Sequence, residues 1–254
     1  MSLPSAVTAP LRNSGLFVEF ALATARALPR RPFAWRDLVQ QAWLIARVTA
    51  WPAAAIGLPI GAALTMQLGG LTRQLGAQPL TDAAAALGIV REAAPLVTAL
   101  VLAGPAAAAI CADLAARTAR HEVDALAVLG IDPVRRLVVP RVLACAGIGL
   151  LLNGLVCAAA LTGAYLAAVV LGGGTAGDFW TAAGVLAQLP DLLVGALKGA
   201  VFGLLAALAG AHRGLAAQAG SRGGADAVAG SAGIALALAL GADAVLSAAY
   251  LQAT

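Results

Sequence analysis

Long apolar segments alternate with short polar segments along most of this 254-residue chain. A transmembrane helix needs roughly 20 predominantly apolar residues, and five segments meet this requirement. They run near residues 43–68, 83–111, 142–171, 189–211 and 227–250. These runs are far too long for the alternation of a transmembrane barrel. The pattern therefore predicts an all-α integral membrane protein with five transmembrane helices and with its termini on opposite sides.

One long polar passage, residues 104–141, separates the second and third predicted spans. Within it, residues 106–119 are predicted to form a helix. Asp113 and Arg117 are four residues apart on this helix, so they lie on one face, and the order of acid before base is the favourable one. A short second helix then carries Glu122, Leu126 and Leu129 on one side.

Several residues indicate that this passage is ordered. Gly130 is typical of the left-handed residue just past a helix end, and Asp132 followed by Pro133 is typical of an N-cap and first helical turn. The helix that they open runs past three arginines into the third span. Pro140 inside that helix removes a backbone donor, which predicts a kink.

Residues 1–41 are predicted to form an N-terminal segment before a membrane domain of residues 42–254. The first residues lack the basic start and apolar core of a secretory signal, so no cleavage is expected. Apolar positions between Phe17 and Leu28 recur at helical spacing among arginines, which favours an amphipathic interfacial helix over a frayed basic tail. Prolines then separate it from a second short helix around Trp35.

Composition supports the membrane class, because 61% of the residues are hydrophobic, 11% are charged and the mean hydropathy is +0.90. The net charge of +4 reflects arginines that favour anionic lipid headgroups and gives no reason to invoke nucleic acid. These arginines lie before the first span and in the second and fourth connections, whereas the opposite side carries only Arg73. By the positive-inside rule, the amino terminus and residues 104–141 are cytoplasmic.

Six charged residues fall within the predicted spans; Arg47 and Asp191 lie near span ends, and the others are Arg91, Glu92, Lys198 and Asp243. Charges at such depth are costly and usually face protein or a wet cavity. Arg91 and Glu92 point about 100° apart on a helix, so each needs another partner. They are interpreted either as a local structural ion pair or as the polar lining of a substrate pocket at a subunit interface. Lys198 either snorkels to the surface or pairs with Glu92 or a lipid headgroup, and Asp243 is interpreted as interfacial.

Glycines at small-xxx-small spacing predict close helix packing in two spans. They are Gly57 and Gly61 in the first span, and Gly195, Gly199 and Gly203 in the fourth.

No catalytic or metal-binding pattern is evident in the sequence. His121 and His212 are far apart, and the three cysteines lie in or beside apolar segments, so no metal site is predicted. The glycines at 172–174 are not followed by Gly-Lys-Ser/Thr, which argues against a Walker motif. The chain is therefore predicted not to be an enzyme and to bind no cofactor itself.

Residues 91–144 resemble a known family. REAAP at 91–95, an Ala-rich turn predicted after Gly104 and the run HEVDALAVLGIDPVRRLVVPRVLA at 121–144 are similar to the MlaE/YrbE family of ABC-transporter permeases, which serve Mce-type lipid transport systems. The family usually has Gly-Arg-Ala-Gly at positions 104–107, where this chain has Gly-Pro-Ala-Ala, and Glu at the position of Asp113. The missing arginine is expected to affect the turn before the coupling segment.

The resemblance implies that residues 113–137 are a coupling segment that docks on an ATPase subunit. A permease without a nucleotide site receives work from such a partner. The predicted contact residues are Arg117, Glu122, Val123, Asp124, Leu126, Leu129, Asp132 and Arg135.

The resemblance also implies a set of partners in a bacterial plasma (inner) membrane. It implies a second permease, identical or paralogous, a cytoplasmic ABC ATPase dimer that binds ATP and Mg²⁺, and an Mce-domain protein on the outer side. The implied substrate is a phospholipid, fatty acid or sterol-like lipid, held between the two permeases near spans one, two and five.

Two other functions stay open on the residues alone. One is an ion-coupled secondary transporter whose pathway contains Arg91, Glu92, Lys198 and Asp243, although no internal repeat supports it. The other is a membrane scaffold that transports nothing. Dependence on ATP would separate an ABC transporter from an ion-coupled transporter. Loss of transport on changing Glu92 would exclude the scaffold.

We predict that a tag at the amino terminus is protected from a membrane-impermeant reagent in intact cells, because the basic residues hold that end in the cytoplasm. A tag at the carboxyl terminus is the matched control and should be labelled, since five spans separate the termini. Labelling of the amino-terminal tag alone would contradict this topology.

Overall fold

The computed structural model describes residues 5–27, 35–77, 80–186, 188–217 and 221–253. Within these ranges the chain forms eight helices and no strand. In chain order they are α1 (Ser5–Ala27), α2 (Trp35–Gln74), α3 (Thr81–Ala119), α4 (Glu122–Val128), α5 (Val134–Leu171), α6 (Ala176–Leu186), α7 (Leu189–Leu215) and α8 (Ser221–Ala253). We call the two ends of the bundle the α4 end and the α6 end.

Five of these helices, α2, α3, α5, α7 and α8, are long and apolar enough to cross a membrane. This confirms the all-α class and the five predicted spans. The predicted separate helix around Trp35 is wrong, because Trp35 is the first residue of α2. No glycine or proline interrupts residues 35–51, so nothing in that stretch breaks the helix. Residue 41, the predicted domain boundary, lies inside α2.

The turn predicted after Gly104 is also wrong, since α3 runs without a break through this position. A π-helical turn at Leu102–Ala106 contains Pro105. Proline has no N–H to donate to the helix ladder, and the wider π-helical turn accommodates this loss without ending the helix.

Two other prolines lie shortly after a π-helical turn, whereas Pro105 lies inside one. Ile89–Ala93 precedes Pro95 in α3, and Val134–Val138 precedes Pro140 in α5. The irregularity expected at Pro140 therefore takes the form of a wider turn just before it.

The connection after α5 contains a helix of its own. Gly173 has φ +72° and makes the turn, and the residues after it form α6. Thr175 accepts a hydrogen bond from the Asp178 N–H (3.2 Å) and donates one to its carboxylate (2.7 Å), which caps α6. Phe179 is buried with its ring centroid 5.6 Å from that of Tyr165.

Helix α3 is the centre of the bundle. Buried residues make up 67% of its most apolar stretch, against 17% for both α2 and α8. Helix α2 packs along α5, α5 along α7, and α7 along α8. Much of the surface of α2 and α8 is therefore left for lipid or another protein.

Glycines let α2 approach α5 closely. Gly57 lies against Val156 and Ala159, and a Cβ added to Gly61 would overlap the backbone carbonyl of Ala160. This contact has the geometry of a small-residue helix pair.

The glycines of α7 lie on one ridge that faces α5. Gly199 meets the backbone of Gly149, Gly203 meets the Cys145 carbonyl, and Gly195 meets the Asn153 side chain. Side chains at these positions would force the two helices apart.

Helix α1 lies against α7 and the start of α5 at the α4 end. The rings of Phe17 and Phe20 contact His212 edge to face, with centroid distances of 5.6 and 5.5 Å. Thr24 is buried, whereas the predicted apolar position Leu28 lies outside the described residues. The place of α1 in the membrane interface stays a prediction.

We predict that Gly61→Ala lowers the free energy of unfolding by about 1–3 kcal/mol, because the added methyl group overpacks the α2–α5 contact. Gly154→Ala in α5 is the matched control, since a Cβ there meets no atom within 4 Å. Alanine is intrinsically favoured over glycine in a helix, so the control should be neutral or slightly stabilised. Denaturant titration in mixed micelles measures both, and equal stability of the two variants would contradict the packing.

Candidate functional site

Charged and polar side chains meet where α3, α7 and α8 pack together. They form two adjoining groups. The Lys198 group contains Glu92, Lys198, Asp243 and Ser247, and the Asp191 group contains Arg91, Asp191 and Tyr250.

Lys198 is only 3% exposed and points into the protein. Its Nζ donates a hydrogen bond to Ser247 Oγ (2.6 Å) and lies 3.0 Å from Asp243 Oδ1 and 3.9 Å from Glu92 Oε1. Of the alternatives for Lys198, snorkelling to the surface is therefore wrong, and the pairing with Glu92 is present. Asp243 is 6% exposed and buried inside the bundle, so its interpretation as an interfacial residue is also wrong.

The missing backbone N–H of Pro95 leaves one further contact for Lys198. Pro95 has no N–H to offer to the carbonyl of Arg91, four residues earlier. That carbonyl instead accepts a weak hydrogen bond from Lys198 Nζ (3.4 Å). The irregular turn of α3 thus supplies an oxygen to the buried ammonium group.

The Asp191 group ties the first turn of α7 to α3 and α8. Arg91 Nε and the Tyr250 hydroxyl both donate to Asp191 Oδ1, at 2.7 and 2.8 Å. The Arg91 guanidinium also lies over the Tyr250 ring, 5.3 Å from its centroid. Asp191 Oδ2 accepts the Gln188 N–H (3.1 Å) in a capping box.

Asp191 and Tyr250 were not among the residues singled out from the sequence. Asp191 follows a proline at the start of a predicted span, which is the position of a capping residue. Asp243, Ser247 and Tyr250 recur at intervals of four and three residues, the spacing of one helical face. That spacing was the available signal for the polar side of α8.

A cavity of about 40 Å³ lies between the two groups. This volume holds one or a few water molecules and is far too small for a lipid acyl chain. Within this chain the cluster is therefore a polar junction between helices, and its role in lining a lipid pathway between two permeases stays a prediction. Glu92 is its outward member, with 53% of its side chain exposed.

The predicted coupling residues lie at the α4 end. None of the residues of α4 is buried. Val123 and Leu126 are partly buried against the core of their own chain, and their role as apolar anchors for a partner stays a prediction. Leu129 is 72% exposed, and its neighbour Val128, which was not predicted, is 89% exposed. The apolar surface of α4 is thus at its end, because the middle of the helix faces the bundle.

Ion pairs link α4 to α3. Arg117 lies 3.3 Å from Asp113 and 3.2 Å from Glu122, and Arg120 lies 2.7 Å from Glu122. Asp113 also pairs with Arg141, which is buried at the base of α5. Glu122 is therefore occupied by partners within its own chain.

The hydrogen bond from Arg120, with the charge of Arg117, holds the pKa of Glu122 below its ordinary value. Because this pKa is lowered in the folded chain, the ion pairs contribute fully at neutral pH. Their contribution is lost only as the pH falls through the folded pKa.

The turns beside α4 have the geometry that the sequence predicted. Gly130 has φ +73°, and Asp132 Oδ1 accepts the Val134 N–H (2.9 Å) at the start of α5. Asp124 pairs with His121 (3.1 Å), and Arg135 lies half-buried in the first turn of α5. The passage between α3 and α5 is ordered.

Among the described residues, no three His, Cys, Asp or Glu side chains come together as a metal site.

Five apolar helices with a charged junction inside define a polytopic helical membrane protein. Residues 38–249 match the family model of the permease MlaE, and the chain belongs to this family. The resemblance found in residues 91–144 is thereby confirmed.

Relatives carry names of the same kind. The chain is 31% identical over 156 residues to a probable ABC transporter permease protein of Synechocystis, which covers 61% of this chain and 59% of that protein. It is 32% identical over 125 residues to the intermembrane phospholipid transport system permease protein MlaE of Haemophilus influenzae, covering 49% and 48%. A probable ABC transporter permease protein of Rickettsia typhi is 26% identical over 210 residues, covering 80% and 78%. The chain thus spans about half to three fifths of the first two relatives.

We predict that Lys198→Met lowers the free energy of unfolding by about 3–5 kcal/mol, because Asp243 is left as a buried charge without its cation. Lys198→Met combined with Asp243→Asn should recover most of this loss, since both buried charges are then removed. Denaturant titration in mixed micelles measures the single and double variants. A single variant as stable as the wild type would show that the pair is not a buried ion pair.

Proposed function

We propose that this chain is the permease subunit of an ATP-driven lipid transporter. The observation that carries the proposal is the match of residues 38–249 to the MlaE permease family. It is supported by relatives named as ABC transporter permeases, one of them in a phospholipid transport system. The chain itself supplies transmembrane helices and a coupling element, and ATP with Mg²⁺ binds to a partner ATPase dimer.

The permease acts as a pair, identical or paralogous, in a bacterial plasma membrane with the amino terminus in the cytoplasm. The surfaces that a second permease would cover are on α2 and α8, which are the least buried of the five spans. The Glu92 side chain faces outward beside α8 and would meet that interface. A phospholipid, fatty acid or sterol-like lipid moves between the two permeases along α2, α3 and α8. An Mce-domain protein receives or delivers the lipid on the outer side.

The α4 end is the coupling surface. Val128, Leu129 and Ile131 form an exposed apolar tip, with exposed fractions of 89, 72 and 43%. Large exposed apolar side chains outside the membrane are typical of a protein interface. The ion pairs from Glu122 through Arg117 and Asp113 join this tip to α3, so a displacement of the tip by the ATPase would reach the centre of the bundle.

The buried Lys198 group favours one alternative, an ion-coupled secondary transporter, because intramembrane charges often mark ion pathways. In this chain the ammonium already has carboxylate and hydroxyl partners, which also suits a fixed structural junction. The two functions differ in their energy source, so ATP decides between them.

We predict that the chain, reconstituted with its ATPase and any second permease in proteoliposomes, moves a fluorescent phospholipid only when ATP is supplied. The double change Val128→Asp and Leu129→Asp should abolish this movement, because two charges cannot enter an apolar interface without a large desolvation cost. Lipid transfer driven by an ion gradient without ATP would contradict the proposal.

Leu75→Asp is the matched control for the coupling variant. Leu75 is 79% exposed, as prominently as Val128 and Leu129, but lies at the α6 end. The Leu75→Asp variant should still co-purify with the ATPase. The variant with Val128→Asp and Leu129→Asp, the coupling variant, should lose the ATPase on co-purification. Retention of the ATPase by the coupling variant would remove α4 from the coupling role.

A further inference from the structure

A second, larger cavity lies at the α6 end, apart from the charged junction. Its volume is about 750 Å³, and it is bounded by the ends of α2 and α5 and the starts of α3 and α6. It is open, and it is roughly twenty times larger than the cavity beside Lys198. A group of several heavy atoms fits into this space.

The depth of this cavity follows from α2. Residues 48–72 carry no charge, and as a continuous helix they are about 38 Å long at 1.5 Å per residue. The hydrocarbon core of a bilayer is about 30 Å thick. Arg47 and Arg73, which bound this stretch, therefore lie at the two opposite headgroup levels. Arg73 lines the cavity, so the cavity opens at the level of lipid headgroups.

Charges of both signs face this cavity without neutralising one another. Arg73 lies on the α2 wall, Asp82 on the α3 wall and Asp178 on the α6 wall. Among the described residues, Arg73 forms no ion pair and the Asp82 carboxylate has no hydrogen bond or ion pair. Asp178 is engaged by Thr175 as the cap of α6 and so has a structural role. The available charges are thus one guanidinium and one carboxylate, on different helices.

Both groups are reachable from the cavity, because Arg73 and Asp82 line its walls. Asp82 lies in the first turn of α3, where the helix dipole favours a carboxylate. Gly69 and Gly70 lie on the α2 wall beside Arg73 and place no side chain of their own in the cavity. A Cβ at Gly70 would meet no atom within 4 Å and one at Gly69 would make only an ordinary contact with Thr81 (3.6 Å), so close packing does not require these glycines.

We propose that this cavity binds the headgroup of a zwitterionic phospholipid, with its phosphate on Arg73 and its ammonium on Asp82. The inference rests on the proposed function in that the lipid would be one handled by the transporter. A headgroup with a phosphate and no cation would satisfy Arg73 but would bring its charge near two carboxylates. A fatty acid would leave Asp82 without a partner. The paired, separated charges therefore select phosphoethanolamine-type headgroups.

The test is lipid binding to the full chain in detergent, without ATPase and without ATP. The probes are dioctanoyl phosphatidylethanolamine and dioctanoyl phosphatidylglycerol, and the readout is the dissociation constant of each by native mass spectrometry. The wild type should prefer the ethanolamine lipid. Arg73→Gln should weaken both lipids about tenfold, because a charge-assisted hydrogen bond to phosphate is lost. Asp82→Asn should weaken only the ethanolamine lipid and bring the ratio of the two constants close to one.

Two controls make the result specific. Asp82→Glu keeps the carboxylate and should keep the preference, which separates charge recognition from a general effect on folding. Arg47→Gln removes an exposed arginine at the other headgroup level and should change neither constant. An unchanged preference in Asp82→Asn, or an equal loss in Arg47→Gln and Arg73→Gln, would overturn the proposal.

A further arm identifies the source of the headgroup. Glycerophosphoethanolamine carries the same charges without acyl chains, and it should bind much more weakly than the lipid. Equal binding of the soluble compound would overturn the lipid assignment. Because no ATP is present, a failure of ATP-driven transport and a failure of headgroup binding are observed separately.

Discussion

The arrangement of the helices depends on the burial of one ammonium group. Lys198 is almost completely removed from solvent in the fourth span, and an isolated charge there would be prohibitively costly. It is tolerable because Asp243 of α8, Ser247 of α8 and the α3 backbone all reach it. These partners come from separate helices, so α3, α7 and α8 must adopt one relative position. The Asp191 group fixes the same three helices a second time, at the first turn of α7.

Close packing by small residues makes this junction possible. Gly195, Gly199 and Gly203 let α7 approach α5 with almost no side chain between the two backbones. The neighbouring face of α7 then presents Lys198 to α3 and α8. Helix α3 connects the functional regions, since it carries Asp82 beside the larger cavity, Glu92 in the junction and Asp113 in the ion pairs toward α4. A single central helix thus links the larger cavity to the proposed coupling surface.

Local features of the fold were predictable from the sequence, because they depend on nearby residues. The five spans follow from runs of apolar residues, and the turn at Gly130 and the cap at Asp132 follow from short motifs. The pairing of Lys198 with Asp243 joins residues 45 positions apart, and its depth depends on how the helices pack. Sequence could not choose between snorkelling and pairing for that reason.

Other differences have equally specific causes. Helix α3 continues through Pro105 because a π-helical turn absorbs the missing donor, which no propensity scale anticipates. Val123 and Leu126 lie partly against the bundle, whereas Val128 and Leu129 are exposed, and this division depends on how α4 packs on the bundle. The family resemblance predicted a coupling segment but did not specify which of its faces is free.

We propose that this permease works within an ATP-driven assembly. The most direct measurement is to purify the chain from its native membrane in mild detergent and to identify the co-purifying proteins and lipids by mass spectrometry. If the chain works in such an assembly, we expect to recover an ABC ATPase, a permease pair and phospholipid in fixed proportion. Recovery of the chain alone, under conditions in which other membrane complexes stay intact, would contradict it.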